Sequence, residues 1–203
     1  MRGKFIVLEG GDGVGKSTQA ELLIGWLEEH GIAHVRTRQP GGTSLGASLR
    51  GLVLDPASGD VAPRAEALIY AADKAQHVME VVEPALAAGL VVVSDRYVDS
   101  MIAYQGAGRH LDVAEVERLA AWATSGLRPD LTILLDAELG EAVGRIAQKD
   151  RLEGAGDEFH RRVREHFFHL AAADPEHYLV LNSRRPREEV AAAIATRVAA
   201  LLA

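Results

Sequence analysis

A glycine-rich segment that ends in a lysine and two hydroxyl residues carries the clearest chemical signal in the chain. Residues 10–18 read Gly-Gly-Asp-Gly-Val-Gly-Lys-Ser-Thr, which matches the pattern G-x-x-x-x-G-K-[ST] directly after the apolar run 5–8. Glycines let backbone N–H groups converge on a phosphate chain, Lys16 adds a positive charge, and the Ser17 hydroxyl is suited to hold Mg²⁺. A bare tight turn does not require Lys-Ser after the last glycine, so the segment predicts a phosphate-binding loop.

The elements that must position this loop are visible as short apolar runs along the whole chain. Each run is short and shows little alternation, as buried parallel strands do, and the runs occupy 4–9, 33–37, 90–94, 131–136 and 178–182. Segments with helical spacing separate them. This βαβ alternation predicts an α/β fold, a three-layer αβα sandwich with a five-stranded parallel sheet. Ligand sites are expected at the carboxyl ends of the strands.

The helical segments carry apolar side chains that repeat every three or four residues. One such face groups Leu22, Leu23, Trp26 and Leu27, and another groups Leu68, Ile69, Ala72, Ala75 and Met79. We expect these faces to belong to the core, together with Trp122 and the alanine-rich final helix from about 186. A long helix is predicted over roughly 63–88.

Composition limits the classes of protein that the chain can belong to. Its 203 residues, 48% hydrophobic and 25% charged, predict a single globular domain over 1–203. The sequence has no apolar run of about 18 residues, so we expect a cytoplasmic protein that does not bind membranes. The lack of cysteine excludes disulfides and thiolate chemistry. The net charge of −7 argues against long nucleic acid as a partner.

Other nucleotide-binding classes fail on their own motifs. A guanine-specific GTPase needs Asn-Lys-x-Asp, and the nearest string, residues 148–150, has the wrong spacing and lacks the asparagine. The dinucleotide fingerprint also fails, because Lys16 stands where its third glycine should be.

Several separated strings accompany the phosphate loop. They are Arg-Gln-Pro-Gly-Gly-Thr at 38–43, Tyr-Ala-Ala-Asp-Lys-Ala-Gln at 70–76, Asp-Arg-Tyr at 95–97 leading to Ala-Tyr-Gln-Gly at 103–106, and Arg-Pro-Asp-Leu-Thr at 128–132. Together, and in this order, they resemble the thymidylate kinase family from residue 4 to about 182. The resemblance implies a P-loop NTPase of the nucleoside monophosphate kinase type. It further implies Mg²⁺-dependent transfer of the ATP γ-phosphoryl group to dTMP, giving dTDP and ADP for dTTP synthesis, and a homodimer.

The resemblance also implies roles for individual residues. ATP would be bound by Gly10, Gly11, Asp12, Gly13, Val14, Gly15, Lys16, Ser17 and Thr18, with Ser17 and Asp95 attending Mg²⁺. The residues implied to bind dTMP are Asp12, Arg38, Arg50, Tyr70, Lys74, Arg96, Tyr104 and Gln105. Those implied to act in catalysis are Lys16, Arg96, Asp12, Arg145, Lys149 and Arg151. Phosphoryl transfer needs positioning and charge neutralisation more than a covalent partner, which suits this set of cations.

The acceptor base calls for a stacking face and polar groups at its edge. Tyr70 and Lys74 are four residues apart, so one helix face presents an aromatic ring and a donor for thymine O4. Gln105 offers both a donor and an acceptor to a pyrimidine edge. Tyr104 would close the space beside C2′ and so favour deoxyribose.

A lid over ATP is implied for about 145–156, where Arg145, Lys149 and Arg151 match the family segment. The chain departs from the family at three positions around the acceptor. Gln39 replaces a glutamate, Met101 a small polar residue and Lys74 an arginine, and the lid is short with few arginines. Base recognition is therefore expected to be looser or tuned differently.

Two readings from other classes stay open at this point. One is an ATP-binding module without turnover, and the other is a kinase for another acceptor such as dUMP, a modified pyrimidine, UMP or AMP. A nucleic-acid or assembly ATPase is a weaker third. Intact Lys16, Asp95 and Arg96 argue against the inactive module, and Tyr104 with Gln105 argues against a purine acceptor.

Overall fold

A parallel sheet forms the centre of the computed structural model, which describes residues 2–137, 151–152 and 154–203. Its strands are β1 (Phe5–Glu9), β2 (His34–Arg38), β3 (Val91–Asp95), β4 (Leu131–Asp136) and β5 (Tyr178–Asn182). They pair in the order β2-β3-β1-β4-β5, and every pairing is parallel. The predicted strands are therefore confirmed to within a residue at each end.

Helices connect these strands. They are α1 (Lys16–Glu29), α2 (Ser44–Leu54), α3 (Pro63–His77), α4 (Glu83–Ala87), α5 (Val98–Met101), α6 (Val113–Ala123), α7 (Asp157–Ala173) and α8 (Arg187–Leu202). A 3₁₀ turn covers Pro56–Ser58, and π-helical turns cover Val78–Val82 and Ile102–Gly108. The predicted long helix corresponds to α3, the first π turn and α4 in succession. Within the described residues, no helix is long and apolar enough to span a bilayer.

The two faces of the sheet bury different helices because side chains alternate along each strand. Ile6 and Leu8 of β1 pack with Leu23 and Leu27 of α1 and with the inner side of α8. Phe5 and Val7 point the other way, towards the helices that follow β2 and β3. The chain is therefore a three-layer αβα sandwich, as predicted.

Strand register brings the carboxyl ends of β1, β2 and β3 together at one end of the sheet. Leu8 lies opposite Asp95, and Arg38 of the edge strand β2 lies opposite Asp95 from the other side. The loop after β1 and the turn after β3 are thus neighbours, although about 80 residues separate them in the chain. This juxtaposition positions the site.

The expectation that Trp122 belongs to the core is wrong. The Trp122 side chain is 80% exposed. In α6 the buried stripe is Val116, Ala120 and Ala123, and a residue two positions after Ala120 is rotated by about 200° from it. Trp26, by contrast, is partly buried against the cluster that includes Leu27.

The predicted apolar face over α3 and the π turn after it is a core face only in part, because Ile69 and Ala75 pack against the core whereas Leu68 and Met79 do not. Leu68 and Met79 are 58% and 68% exposed. The buried side of α3 contains Glu66, Ala67, Tyr70, Ala71, Asp73, Lys74 and His77. A polar stripe faces inward here because it lines a cleft and the hydrogen bonds behind it, so hydrophobic spacing alone indicates the wrong side.

Adjacent phenylalanines in α7 test this packing. Phe167 is 2% exposed and lies edge-on to Tyr104, with ring centroids 6.4 Å apart. Phe167→Ala is expected to lower the free energy of unfolding by about 3–5 kcal/mol, because it leaves a cavity in the core. Phe168 is 38% exposed and is the matched control, since Phe168→Ala makes the same change one residue later. Urea denaturation of both variants measures the difference, and equal losses would contradict the packing described.

Candidate active site

The loop after β1 adopts backbone conformations that only glycine accepts easily. Gly10, Gly13 and Gly15 have φ values of 134°, 76° and 92°, and a Cβ on Gly10 would lie 2.2 Å from the Leu135 carbonyl oxygen. Gly15 caps α1 without any side-chain hydrogen bond to the helix amides. These amides are the partial positive charges that bind a phosphate at a helix start.

Lys16 lies over this loop with 7% of its surface exposed. Its Nζ donates to the carbonyl oxygen of Gly10 at 3.1 Å and also to that of Gly11. Burial, together with the nearby Arg96 guanidinium, lowers the pKa of Lys16 to about 8. An anion in the loop would favour the charged form.

Ser17 and Asp95 meet at the mouth of the cleft. The Ser17 hydroxyl donates to Asp95 Oδ2 at 3.0 Å, which places a hydroxyl and a carboxylate oxygen beside the phosphate loop. Oxygen ligands of this kind suit Mg²⁺, which keeps several waters and binds through few protein groups. The two residues therefore fit the predicted metal.

Arg96 joins the turn after β3 to the phosphate loop. Its backbone has φ 69°, a costly conformation for a non-glycine residue. Its side chain donates to the Gly10 carbonyl at 2.9 Å and to the Ser100 hydroxyl at 2.8 Å, and it forms an ion pair with Asp12. Tyr104 completes the cluster by donating to Asp12 Oδ2 at 2.8 Å. Burial opposes ionisation of Asp12, yet Arg96 and Lys16 hold the pKa of its carboxyl at about 2.

A buried carboxylate that the sequence analysis missed fixes this turn. Glu9, at the end of β1, is fully buried. Its Oε1 accepts hydrogen bonds from the amides of Tyr97 and Ser100 at 2.7 and 3.2 Å, and its Oε2 accepts from the Ser100 hydroxyl at 2.6 Å. Because Ser100 also bonds to Arg96, Glu9 holds the arginine indirectly. A charged residue at the end of an otherwise apolar strand was the available signal.

A cleft of about 450 Å³ extends from the phosphate loop into the space between α2, α3 and the π turn after α5. Most of the predicted site residues line it: Asp12, Gly13, Gly15, Lys16, Ser17, Thr18, Arg38, Arg50, Tyr70, Lys74, Asp95, Arg96, Tyr104 and Gln105. Met101 and Gln39, two of the departures from the family pattern, line it as well. One cleft therefore holds the phosphate loop at one end. At the other end is a space lined by an aromatic ring and amide side chains.

Four of the other predicted residues are described but do not line this cleft. Gly10 and Gly11 contribute carbonyl oxygens to Lys16, and Val14 packs in the core beneath the loop. Arg151 forms an ion pair with the fully buried Glu66 and donates to the Val53 carbonyl at 3.0 Å. Arg145 and Lys149 lie outside the described residues.

A chain of buried hydrogen bonds orients Lys74. Its Nζ donates to Gln39 Oε1 at 3.2 Å, and Gln39 Nε2 lies 2.8 Å from His77 Nδ1. Because Lys74 only donates, the Gln39 amide nitrogen must face His77, so Nδ1 accepts and Nε2 carries the proton towards Thr37 Oγ1 at 2.6 Å. Burial, with the positive charge of Lys74, lowers the pKa of His77 to about 4, which keeps the ring neutral.

Arg38 and Arg50 occupy the rim of the cleft beside α2. Arg50 donates to the Pro40 carbonyl at 3.2 Å, and the Gly41 amide beneath it donates to Asp73 Oδ1 at 2.9 Å. The two guanidinium groups therefore border the cleft near Arg96. An anionic group bound between these arginines would meet three positive charges.

The fold, the loop and the cleft together define a P-loop NTPase of the nucleoside monophosphate kinase type. A family model described as thymidylate kinase matches residues 8–194. Since this match covers most of the sequence, the chain belongs to the thymidylate kinase family.

Individual relatives match the chain over all or nearly all of its length. The thymidylate kinase of Cutibacterium acnes is 63% identical over 202 residues, covering 100% of this chain and 99% of the relative. That of Bifidobacterium longum is 49% identical and covers 96% of each chain. The crystal structure of thymidylate kinase from Ehrlichia chaffeensis aligns with a TM-score of 0.79 at 28% identity, covering 98% of this chain and 99% of that one.

The Glu9 contacts lead to a stability prediction. Glu9→Gln is expected to lower the free energy of unfolding by about 1–3 kcal/mol, because it replaces a charged acceptor of three hydrogen bonds by a neutral amide with a single acceptor oxygen. Glu28→Gln on the exposed side of α1 is the matched control and should change stability by less than about 0.5 kcal/mol. Urea denaturation followed by circular dichroism measures both. Unchanged stability in Glu9→Gln would contradict the role given to Glu9.

Proposed function

We propose that this chain transfers the γ-phosphoryl group of ATP to dTMP, giving dTDP and ADP for dTTP synthesis. The observation that carries the proposal is the single cleft with Lys16 and the phosphate loop at one end and Tyr70, Lys74 and Gln105 at the other. Membership of the thymidylate kinase family and the full-length match to named relatives support the same reaction.

The loop amides and Lys16 would hold the phosphates of ATP. Ser17 and Asp95 would attend Mg²⁺, which when bound neutralises charge on the donor phosphates. Arg38, Arg50 and Arg96 would hold the acceptor phosphate. Because Arg96 also contacts the loop through Gly10 and Asp12, we expect it to bridge the two facing phosphates, and its positive charge would stabilise the transferring group.

The far end of the cleft would hold the base and sugar. Tyr70 offers an aromatic face to thymine, and Lys74 offers a donor for O4. Tyr104, fixed by Asp12 at 2.8 Å, would lie against C2′ and disfavour a ribose hydroxyl. Arg145, Lys149 and Arg151 are proposed to close over ATP, and Arg151 forms an ion pair with Glu66.

We also infer a cytoplasmic homodimer. Exposed apolar side chains on neighbouring helices support the dimer, with Leu52, Leu68 and Met79 each more than half exposed. The cytoplasmic location is inferred from the proposed nucleotide substrates.

A panel of acceptors tests the reaction. ADP formation with Mg-ATP is measured against dTMP, dUMP, UMP, dCMP and AMP, with the nucleotide products identified directly. Strong preference for dTMP is expected, and Lys16→Ala should lower kcat by at least about 10²-fold while the fold is kept. Lys4→Ala is the matched control and should behave as wild type, because Lys4 pairs with Asp130 and directly precedes β1, at the other end of that strand from the phosphate loop. Preference for another acceptor, or full turnover without Lys16, would refute the proposal.

Lys74 gives the reaction a predicted pH dependence. Burial, only partly offset by the Asp73 carboxylate, lowers the pKa of Lys74 to about 8. The ammonium therefore loses its charge as the pH rises through about 8, and kcat/KM for dTMP at saturating Mg-ATP should fall above that value. In Lys74→Arg the guanidinium stays charged, so the fall should move to higher pH even if the overall rate is lower.

Wild type and Lys74→Arg are compared on the same substrate. The ionisations of the substrate are the same in both assays, so they cannot cause a difference between the two pH profiles. A descending limb at the same pH in wild type and Lys74→Arg would show that another group causes it.

A further inference from the structure

A buried carboxylate outside the proposed machinery lies directly behind the base-binding end of the cleft. Glu66, in the first turn of α3, is fully buried. It accepts hydrogen bonds from Gln105 Nε2 at 2.9 Å and from Arg109 Nε and a terminal nitrogen at 3.1 and 3.2 Å, and it pairs with Arg151. Glu66 does not line the cleft, whereas Gln105 does.

The contact between Glu66 and Gln105 fixes which way the amide faces. An ionised carboxylate accepts hydrogen bonds and cannot donate them. A flipped Gln105 would place its carbonyl oxygen against a carboxylate oxygen, which is repulsive. The amide nitrogen therefore stays on Glu66, and the carbonyl oxygen is held on the opposite side of the planar group. With 1% of its surface exposed, Gln105 has little room to adopt another arrangement.

The two arginines make the fixed amide stable. A buried carboxylate is costly unless it is paired and hydrogen-bonded, and Arg109 and Arg151 supply the charge that Glu66 needs. Arg109 also lies over the ring of Phe159 at 5.0 Å, which anchors this cluster to α7. Arg109, which packs on Phe159 of α7, thus holds Glu66 in place.

We propose that Glu66 is a positioning residue that sets base selectivity by locking the carbonyl oxygen of Gln105 towards the acceptor base. This inference rests on the proposed function. A carbonyl oxygen at this position accepts the N3–H of thymine or uracil. Cytosine presents an unprotonated N3 at the same place, and two acceptors would then face each other. The Lys74 ammonium adds a donor that suits O4 of thymine and disfavours the amino group of cytosine.

Glu66→Gln tests the proposal. A glutamine at 66 accepts or donates, so Gln105 becomes free to flip and to offer its amide nitrogen to cytosine N3. The ratio of kcat/KM for dTMP to that for dCMP is measured at saturating Mg-ATP, with dUMP as a second N3–H acceptor. We expect the ratio to fall about 10- to 100-fold, the range for leaving one buried donor or acceptor without a partner. The change should lie mainly in KM, with dUMP following dTMP.

Arg109→Gln is the matched control. It removes one charge from the same cluster but leaves the Glu66–Gln105 hydrogen bond, so it should lower the melting temperature while keeping the dTMP/dCMP ratio within about threefold. If Glu66 has only a structural role, both variants should lower the melting temperature. The dTMP/dCMP ratio should then change in both variants or in neither.

An exchange of the two side chains provides a rescue. In the double variant Glu66→Gln with Gln105→Glu, the carboxylate stays within the cluster and position 105 presents only acceptors to the base. Preference for dTMP over dCMP should return to within about threefold of wild type. This variant keeps the net charge of the cluster, so it carries the test alone if Glu66→Gln does not fold.

The outcomes separate this inference from the proposed function. A wild-type chain that does not phosphorylate dTMP overturns both. A wild-type chain that prefers dTMP, with the same dTMP/dCMP ratio in folded Glu66→Gln, overturns the role of Glu66 alone. Loss of the preference for dTMP in the double variant also overturns the role of Glu66. So does a fall of the dTMP/dCMP ratio in Arg109→Gln that equals the fall in Glu66→Gln.

Discussion

The pairing of buried cations with oxygen atoms is the constraint on which the rest of this site depends. Arg96 is the centre of it, because its guanidinium bonds to the phosphate loop, to Ser100 and to Asp12 at once. A buried charge is tolerated only when it is paired in this way. Acidic side chains therefore pair with the cations or support the segments that carry them. Glu9 fixes the turn that carries Arg96 by accepting hydrogen bonds from that turn. The phosphate loop and the turn after β3 hold each other in place before any nucleotide binds.

The same constraint explains why one helix has its apolar side outward. The buried stripe of α3 supplies Tyr70 and Lys74 to the cleft and Glu66, Asp73 and His77 to the hydrogen bonds behind it. These groups need partners more than they need apolar surroundings. Their burial leaves Leu68, and Met79 in the π turn that follows α3, on the exposed side. Hydrophobic periodicity assumes that burial follows apolarity, so it fails where the core itself is polar and organised around a ligand.

Local patterns predicted the strands and the phosphate loop because both depend on neighbouring residues. The loop needs glycines, a lysine and a hydroxyl in a fixed spacing, and each buried parallel strand needs only a short apolar run. The motifs also located Tyr70, Lys74 and Gln105. What supports them could not be read from the sequence, since Gln105 lies 39 residues from its partner Glu66 and His77 lies 38 residues from Gln39. Such pairs exist only once the sheet has brought α3 and its neighbours together.

The departures at Gln39 and Lys74 form a matched pair in the folded chain. Where the family pattern has glutamate and arginine, this chain has an amide and an ammonium, and Gln39 Oε1 accepts from Lys74 at 3.2 Å. A carboxylate at that place would pair with the ammonium and favour its charged form, whereas an amide orients the ammonium without adding a compensating charge. His77 keeps that amide from flipping, because its neutral ring accepts the amide N–H on the far side. The cost is that a buried lysine facing an uncharged partner has a lowered pKa, about 8, while an arginine would not. The substitution therefore keeps a hydrogen-bond donor in the cleft but makes its charge depend on pH, and Gln105, fixed by its hydrogen bond to Glu66, lies in the same cleft.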